Sequence, residues 1–334
     1  MIFFKNIIKL LFNSFGLEIT TLKNINEQIK NTNKQIIIQN VDRVKNELNQ
    51  SLKQELKKEL KQELIILSEN LINKNANILK KQKLSYENGK FIVSKFSKPY
   101  YAYTVYHAIK LAMKLGHSRV SVIEFGVASG RGLVCLETVS SQLEELFDIK
   151  IDIYGFDMGT GLLAPKNNMD LKYWFQSGQY KMDEESLRGK LKKSKLIIGD
   201  VNQTIDGFIS KYKPAPIAAI MHDLDYYSST KNSFKLLNNN IEFFLPRVYC
   251  YFDDTVGSEL EMYNEYTGQL AAIQEFNLSN KDKKFSKNRN LINYNDKWRK
   301  KIYHLHMFNH PDYDVFIGKE EQENMMNKLK EIES

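Results

Sequence analysis

Residues 122–132 read VIEFGVASGRG. Val122 and Ile123 lead a β-rich run into Glu124 and Phe125. Gly126, Gly130 and Gly132 then space a loop, and LVCLETV (133–139) continues with the pattern of a helix. Strand, glycine loop and helix in that order let a backbone turn sharply and approach a ligand at the carboxyl end of a strand in an α/β sheet. The spacing ExGxxxGxG is neither the dinucleotide GxGxxG nor the phosphate-loop GxxxxGK(S/T), and no Lys follows it, so a phosphate cradle is disfavoured. A ligand carrying an ammonium group suits Glu124 better, with Gly126, Ala128, Ser129 and Gly130 as the loop around it.

Further along the chain the same arrangement recurs. IDIYGFDMG (151–159) ends a second strand at Asp157 and Met158, where an acid takes the two hydroxyls of a ribose. LIIGDV (196–201) ends a third at Asp200 and Val201, where an adenine amino group would lie. AAIMHDLDYYSST (218–230) then sets Asp223 and Asp225 at the end of a fourth strand, and RVYCYFDDT (247–255) sets Asp253 and Asp254 at the end of a fifth. Parallel neighbours bring those ends to one rim. Four carboxylates crowded there repel unless a cation sits among them, and oxygen ligands without His or Cys favour Mg²⁺ or a similar hard ion over zinc.

The strands expected from these runs are 120–125, 151–157, 196–200, 217–223 and 248–253, with helices between. Two more, 301–308 and 313–317, would flank the turn NHPDY (309–313). The fold class is therefore α/β, a Rossmann-like parallel sheet closed by an antiparallel hairpin and occupying residues 90–320, with 321–334 as a C-terminal tail. The insert 161–182 carries Tyr173, Trp174, Phe175 and Tyr180. These rings could stack on a sugar or pack the loop onto the sheet, and sequence alone leaves both open.

The order EFGVASGRG, GFD, GDV, DLDYYSST and FDDT resembles the class I S-adenosylmethionine-dependent methyltransferases. Within them it is similar to the metal-dependent macrocin-type sugar O-methyltransferases, over residues 100–277, where GQLAAIQEFN (268–277) also resembles the helix after the paired aspartate. The resemblance implies a seven-stranded sheet. It also implies S-adenosylmethionine held by Glu124, Gly126, Ala128, Ser129, Gly130, Asp157, Met158, Asp200, Val201 and Asp223, and Mg²⁺ held by Asp223, Asp253 and Asp254. Asp225 would be the base that takes a proton from a sugar or glycan hydroxyl, with His222 as the alternative. Two other classes stay open: a metal-dependent nucleotide-sugar glycosyltransferase using Asp223 and Asp225 as its DxD pair, and a non-catalytic oligomeric scaffold of the same fold.

The N-terminal quarter reads differently. Residues 1–90 hold fifteen Lys and one Arg against nine Asp and Glu, which is +7 of the chain's +8. Basicity confined to an extension suits an anionic membrane surface and argues against nucleic acid as a partner. MIFFKNIIKLLFNSFG (1–16) places Phe3, Phe4, Ile7, Ile8, Leu11, Phe12 and Phe15 on one helical face opposite lysines and asparagines. An amphipathic helix over 1–18 would be either an in-plane membrane foot or a docking helix. From 20 to 82, Ile37, Val41, Val44 and Leu48 follow a heptad, and Leu52, Leu56, Leu60 and Leu64 step by four, which predicts an irregular coiled-coil stalk and a homo-oligomer. No apolar run reaches the length of a spanning helix, so the expected location is cytoplasmic, peripheral on the inner membrane face if the foot engages lipid. Cys135 and Cys250 sit inside apolar runs and read as buried free thiols, with no zinc spacing and no disulfide framework.

Overall fold

The computed structural model describes residues 86–87, 90–291 and 293–333. The expected foot (1–18) and stalk (20–82) lie outside them. A two-residue antiparallel hairpin pairs Tyr86–Glu87 with Lys90–Phe91. Seven strands then form one sheet: β1 (Arg119–Phe125), β2 (Lys150–Asp157), β3 (Lys195–Ile198), β4 (Ile217–His222), β5 (Phe244–Phe252), β6 (Lys283–Lys287) and β7 (Ile302–Met307). Their order across the sheet is β3-β2-β1-β4-β5-β7-β6. The first five run parallel, and β7 inserts antiparallel between β5 and β6.

Strand alternation divides the core into two layers. Val120, Val122, Ile151 and Ile153 face α1 (Pro99–Lys114) and α2 (Arg131–Leu146). Ile123, Phe125, Tyr154 and Phe156 face the opposite layer, where α5 (Phe208–Tyr212) and α7 (Gly268–Ser279) supply Phe208, Ala271 and Ala272. Every residue of β4 is buried, as a central parallel strand covered on both faces must be. The shorter helices α3 (Glu184–Lys190), α4 (Val201–Thr204) and α6 (Tyr227–Ser233) follow β2, β3 and β4, and α8 (Lys319–Glu333) closes the described chain. Helix α1 starts on Pro99, whose missing N–H costs nothing in a first turn. It ends at Gly116, φ +83°, with His117 N–H on Ala112 O at 3.0 Å and Gly116 N–H on Met113 O at 3.0 Å.

The closing hairpin differs from the expected one. Strand 302–307 is present, but its antiparallel partner is Lys283–Lys287, ahead of it in sequence. Residues 313–317 form no strand: Tyr313 N–H bonds His310 O, and Val315 N–H bonds Asp312 O, as in successive turns. The reason for the misreading is local. In KKFSK only Phe285 is buried, because β6 is an edge strand and lysine is tolerated, even useful, at an edge. Cys135 and Cys250 are buried and unbonded to each other.

Candidate functional site

The carboxyl ends of β1 to β5 surround a cleft of about 410 Å³, well within the size of ligand pockets generally. Eight acids line it (Glu124, Asp157, Asp200, Asp223, Asp225, Asp253, Asp254 and Glu261) against two bases, Lys98 and Arg131. Such a cleft attracts cations.

The glycine loop is built around close approaches. Gly126 has φ +84°, and a Cβ there would lie 1.6 Å from the carbonyl oxygen of Asp223, so only glycine lets β1 and β4 end side by side. A Cβ on Gly132 would lie 1.7 Å from Glu124 Oε1, so its bareness houses the Glu124 carboxylate. That carboxylate is 1% exposed. Its Oε1 accepts a hydrogen bond from Tyr101 Oη at 2.7 Å, while Oε2 is buried with no partner among the described residues. Burial, only partly offset by Lys98 and the Tyr101 hydrogen bond, raises the Glu124 carboxyl to about 7. An acid held this way is ready for a positive donor.

The other expected cofactor residues, Ala128, Ser129, Asp157, Met158, Asp200, Val201 and Asp223, line the same cleft. Gly130 does not. With φ +80° it precedes α2, and a Cβ there would strike Leu187 at 2.1 Å, so its role is packing. Asp157 is partly committed: Oδ2 accepts from Val127 N–H (2.9 Å) and Ala128 N–H (2.8 Å), and Oδ1 from Gly159 N–H (2.6 Å). It braces the loop while keeping lone pairs toward the cleft. Asp200 Oδ1 caps α4 through Asn202 N–H at 2.8 Å, leaving its second oxygen available.

One ligand oxygen from each of Asp223, Asp253 and Asp254 lies within 4.8 Å of the other two, a spacing one cation can bridge. Asp225 does not belong to this group. Its backbone stands at φ +55°, and its N–H donates to Asp254 Oδ2 at 3.2 Å. Burial, then Asp254, Asp223 and Asp253 beside it, push the Asp225 carboxyl well above the carboxylate range. Burial and Asp253 likewise raise Asp254 to about 7, although Tyr263 Oη donates to its Oδ1 at 2.8 Å. Each of these acids pays an electrostatic penalty for standing beside the others.

His222 is not part of this arrangement. It is 1% exposed, stacks on Phe252 with centroids 4.4 Å apart, and contacts Ser233 Oγ through Nδ1 at 3.2 Å. Burial lowers its pKa to about 3. It belongs to the layer of Ile220 and Phe125, away from the cleft, so the expected role as a proton acceptor is corrected here: strand alternation sends neighbours on β4 to opposite faces.

Several further residues belong to the site. Lys98 Nζ lies 3.8 Å from Asp223 Oδ2 and 4.7 Å from the centre of the Tyr101 ring. Burial alone would lower this ammonium, but Asp223, Tyr100 and Glu124 outweigh it and hold it above its ordinary value. Gln269, fully buried, accepts from Asp254 N–H (2.8 Å) and donates to His222 O (3.1 Å), tying the ends of β4 and β5 together. Asp170, in the insert, accepts from Ser228 N–H at 2.8 Å in the first turn of α6. Of the insert's rings, Trp174, Phe175 and Tyr180 line the cleft. Tyr173 is not among the lining residues and donates its hydroxyl to Glu261 O at 2.8 Å.

No protein-family model matches the chain, and no curated protein does. Among solved structures it is similar to CalS11, a calicheamicin methyltransferase, at 18% identity over 62% of this chain and 79% of that one, TM-score 0.44. It is also similar to the O-methyltransferase NovP, at 12% identity over 62% and 79%, TM-score 0.43. A third similarity is to the MycE methyltransferase in complex with Mg, SAH and mycinamycin VI, at 13% identity over 60% and 48%, TM-score 0.33. Identities and TM-scores of this size say nothing about chemistry, which rests on the residues above.

Proposed function

We propose that the chain is an S-adenosylmethionine-dependent O-methyltransferase that uses Mg²⁺ or a similar divalent ion and acts on a sugar or glycan hydroxyl. The observation that carries this reading is the convergence, in one cleft, of an unpartnered buried Glu124 oxygen under a glycine loop with the oxygen cluster of Asp223, Asp253 and Asp254. The first suits a cofactor ammonium, and the second suits a hard cation. When bound, the cofactor supplies an activated methyl group and the ion supplies charge that acidifies a nearby hydroxyl. Glu124 would hold the amino group, the 126–129 backbone would pass beside the cofactor, and Asp157 and Asp200 would offer acceptors to ribose and adenine. Asp223, Asp253 and Asp254 would hold the ion. Asp225, beside the ion's oxygen set but outside it, would accept the hydroxyl proton. Trp174 and Tyr180 offer ring faces on which a sugar can stack.

The glycosyltransferase reading needs Asp223 and Asp225 as one ion-binding pair. The oxygens that cluster come instead from Asp223, Asp253 and Asp254. The decisive assay follows transfer of labelled methyl from S-adenosylmethionine to a panel of free and linked sugars, with Mg²⁺ and with EDTA. Transfer that requires the ion and vanishes in Asp225→Asn is the expected result. Transfer indifferent to EDTA would remove the ion from the reaction, and hydrolysis or transfer of a nucleotide-sugar would replace this reading with the other.

A further inference from the structure

The cleft is acidic, yet the segment beside its acceptor end is the opposite. Between Lys281 and Lys301 there are nine Lys and Arg against two Asp, a net +7 within a sequence whose charge outside residues 1–90 is only +1. Topology places much of this segment at the rim. Because β7 runs antiparallel to β5 and pairs Ile302 with Tyr251, and because β6 pairs Lys287 with Tyr303, the connection 288–301 crosses at the same edge as Asp253 and Asp254. The contact is direct: Lys301 Nζ is 3.3 Å from Asp253 Oδ1, and Lys297 Nζ donates to Gly257 O at 3.1 Å.

Most of these cations have work within the fold. Lys283 and Lys284 donate to the carbonyls of Leu237 and Asn277. Arg299 pairs with Asp296 at 2.8 Å and stacks on Trp298. Lys287, Arg289 and Lys300 are different. Among the described residues none of the three makes a side-chain hydrogen bond or ion pair, although Lys287 is half-buried. Burial, then Lys300 and Arg289 close by, lower the Lys287 ammonium, against a single opposing acid, Glu265. None of the three lines the cleft itself, but strand pairing brings Lys287 and the 288–301 connection to the end of the sheet where the cleft opens, and like charges there repel one another until an anion joins them.

We propose that Lys287, Arg289 and Lys300 form an anion subsite at the rim of the cleft that binds a phosphate or diphosphate group on the methyl acceptor. The inference rests on the methyltransferase reading for the word acceptor, and on this chain's charge distribution for the rest. An anionic group is repelled by the eight acids of the cleft and received by the basic rim beside Asp253, so a phosphate-linked sugar would lie with its ring toward the ion's carboxylates and its phosphate outside. Arg289 offers a planar fork suited to phosphate oxygens, and the two lysines offer point charges. The phosphate could come from a nucleoside diphosphate or from a lipid carrier.

Calorimetric titration of the full chain with inorganic pyrophosphate, in EDTA so that no divalent ion mediates, tests the subsite. Saturable binding is expected, weakened at least tenfold in K287A/R289A/K300A and weakened by salt. The single variant Arg289→Lys should retain most of it. A nucleoside diphosphate and a polyprenyl diphosphate in neutral micelles, titrated the same way, identify the source of the phosphate. Equal binding by wild type and the triple variant, or no binding by either, overturns the subsite. So does a triple variant that loses only its affinity for phosphatidylglycerol vesicles, which would make the patch a membrane contact. S-adenosylhomocysteine titrated into the same samples keeps the two claims apart. Retained S-adenosylhomocysteine binding without pyrophosphate binding removes the subsite alone, and the reverse removes the methyltransferase reading while leaving an anion site.

Discussion

Glu124 and Glu137 are both buried glutamates, one at the end of β1 and the other on the helix that follows, and the protein treats them in opposite ways. Glu137 has its oxygens filled: Oε1 accepts from the backbone N–H groups of Lys192, Lys193 and Ser194 at 2.7–3.0 Å, and Oε2 accepts from Lys192 N–H at 3.0 Å. Burial alone would raise its carboxyl, but these donors prevail and hold it below its ordinary value. Glu124 has one donor and one empty oxygen, and rises to about 7. A carboxylate that serves the fold is given its donors by the fold; one left short is waiting for a ligand. Asp170 and Asp254 differ in another way. Asp170 accepts from Lys166 and Ser228 N–H, and Asp254 too has a donor on each oxygen, Tyr263 Oη and Asp225 N–H, so what sets Asp254 apart is burial beside Asp253, which raises it to about 7.

If that contrast is right, substitutions at the two kinds of acid should separate binding from stability. The largest effect belongs to the ion cluster. Asp253→Ala should weaken Mn²⁺ binding about a hundredfold, read by paramagnetic resonance, and leave S-adenosylhomocysteine affinity within a few-fold. Loss of both would place Asp253 in the cofactor site instead. Next comes Glu124→Gln, which removes the charge facing the cofactor's ammonium. Affinity for S-adenosylhomocysteine should fall by about 2–3 kcal/mol, with thermal stability unchanged or higher because an unsatisfied acid has gone. Glu137→Gln should do the reverse, with about 1–3 kcal/mol lost from urea unfolding and ligand affinity untouched, since a single amide oxygen cannot serve all of those donors.

The pH dependence is the smallest effect and the two glutamates give it opposite signs. Glu124 is raised when folded, so the folded state holds its proton more tightly. Its contribution is complete below the ordinary value of 4.5 and is lost as pH rises through about 7. Glu137 is lowered when folded, so its contribution is present above 4.5 and is lost as pH falls through its lower folded value. Unfolding measured from pH 3.5 to 8 in wild type, E124Q and E137Q should show each slope disappear with its own residue. Parallel curves in all three would undo the distinction. Cofactor binding should also release protons near pH 6.5, as Glu124 ionises against the ammonium, which calorimetry in buffers of different ionisation enthalpy detects.

Much of this was legible in the chain. The glycine spacing after Glu124 and the acids at the ends of four more strands located the cleft, because strands that alternate with helices must run parallel and therefore end together. The same geometry brought four carboxylates, Asp223, Asp225, Asp253 and Asp254, to one rim, and only the family resemblance picked Asp223, Asp253 and Asp254 out of them as the candidate metal set. Other features depend on contacts that no spacing encodes. Lys98 precedes the first long helix and reaches the cleft only through packing, and Gln269 joins two strand ends from a helix 15 residues after Asp254. Strand β6 was hidden because an edge strand need bury only one side chain, and its lysines read as loop. His222 was a different failure: strict alternation along IAAIMH places it with Ile220, on the face away from Asp223, and could have excluded it.

The most direct test is calorimetric titration of the folded full chain with S-adenosylhomocysteine, in Mg²⁺ and again in EDTA. Micromolar binding in both conditions, lost in Glu124→Gln, is the predicted result, since the ammonium site and the ion site are separate parts of the cleft. No binding in either condition, by protein shown to be folded, would contradict the assignment of this cleft to S-adenosylmethionine.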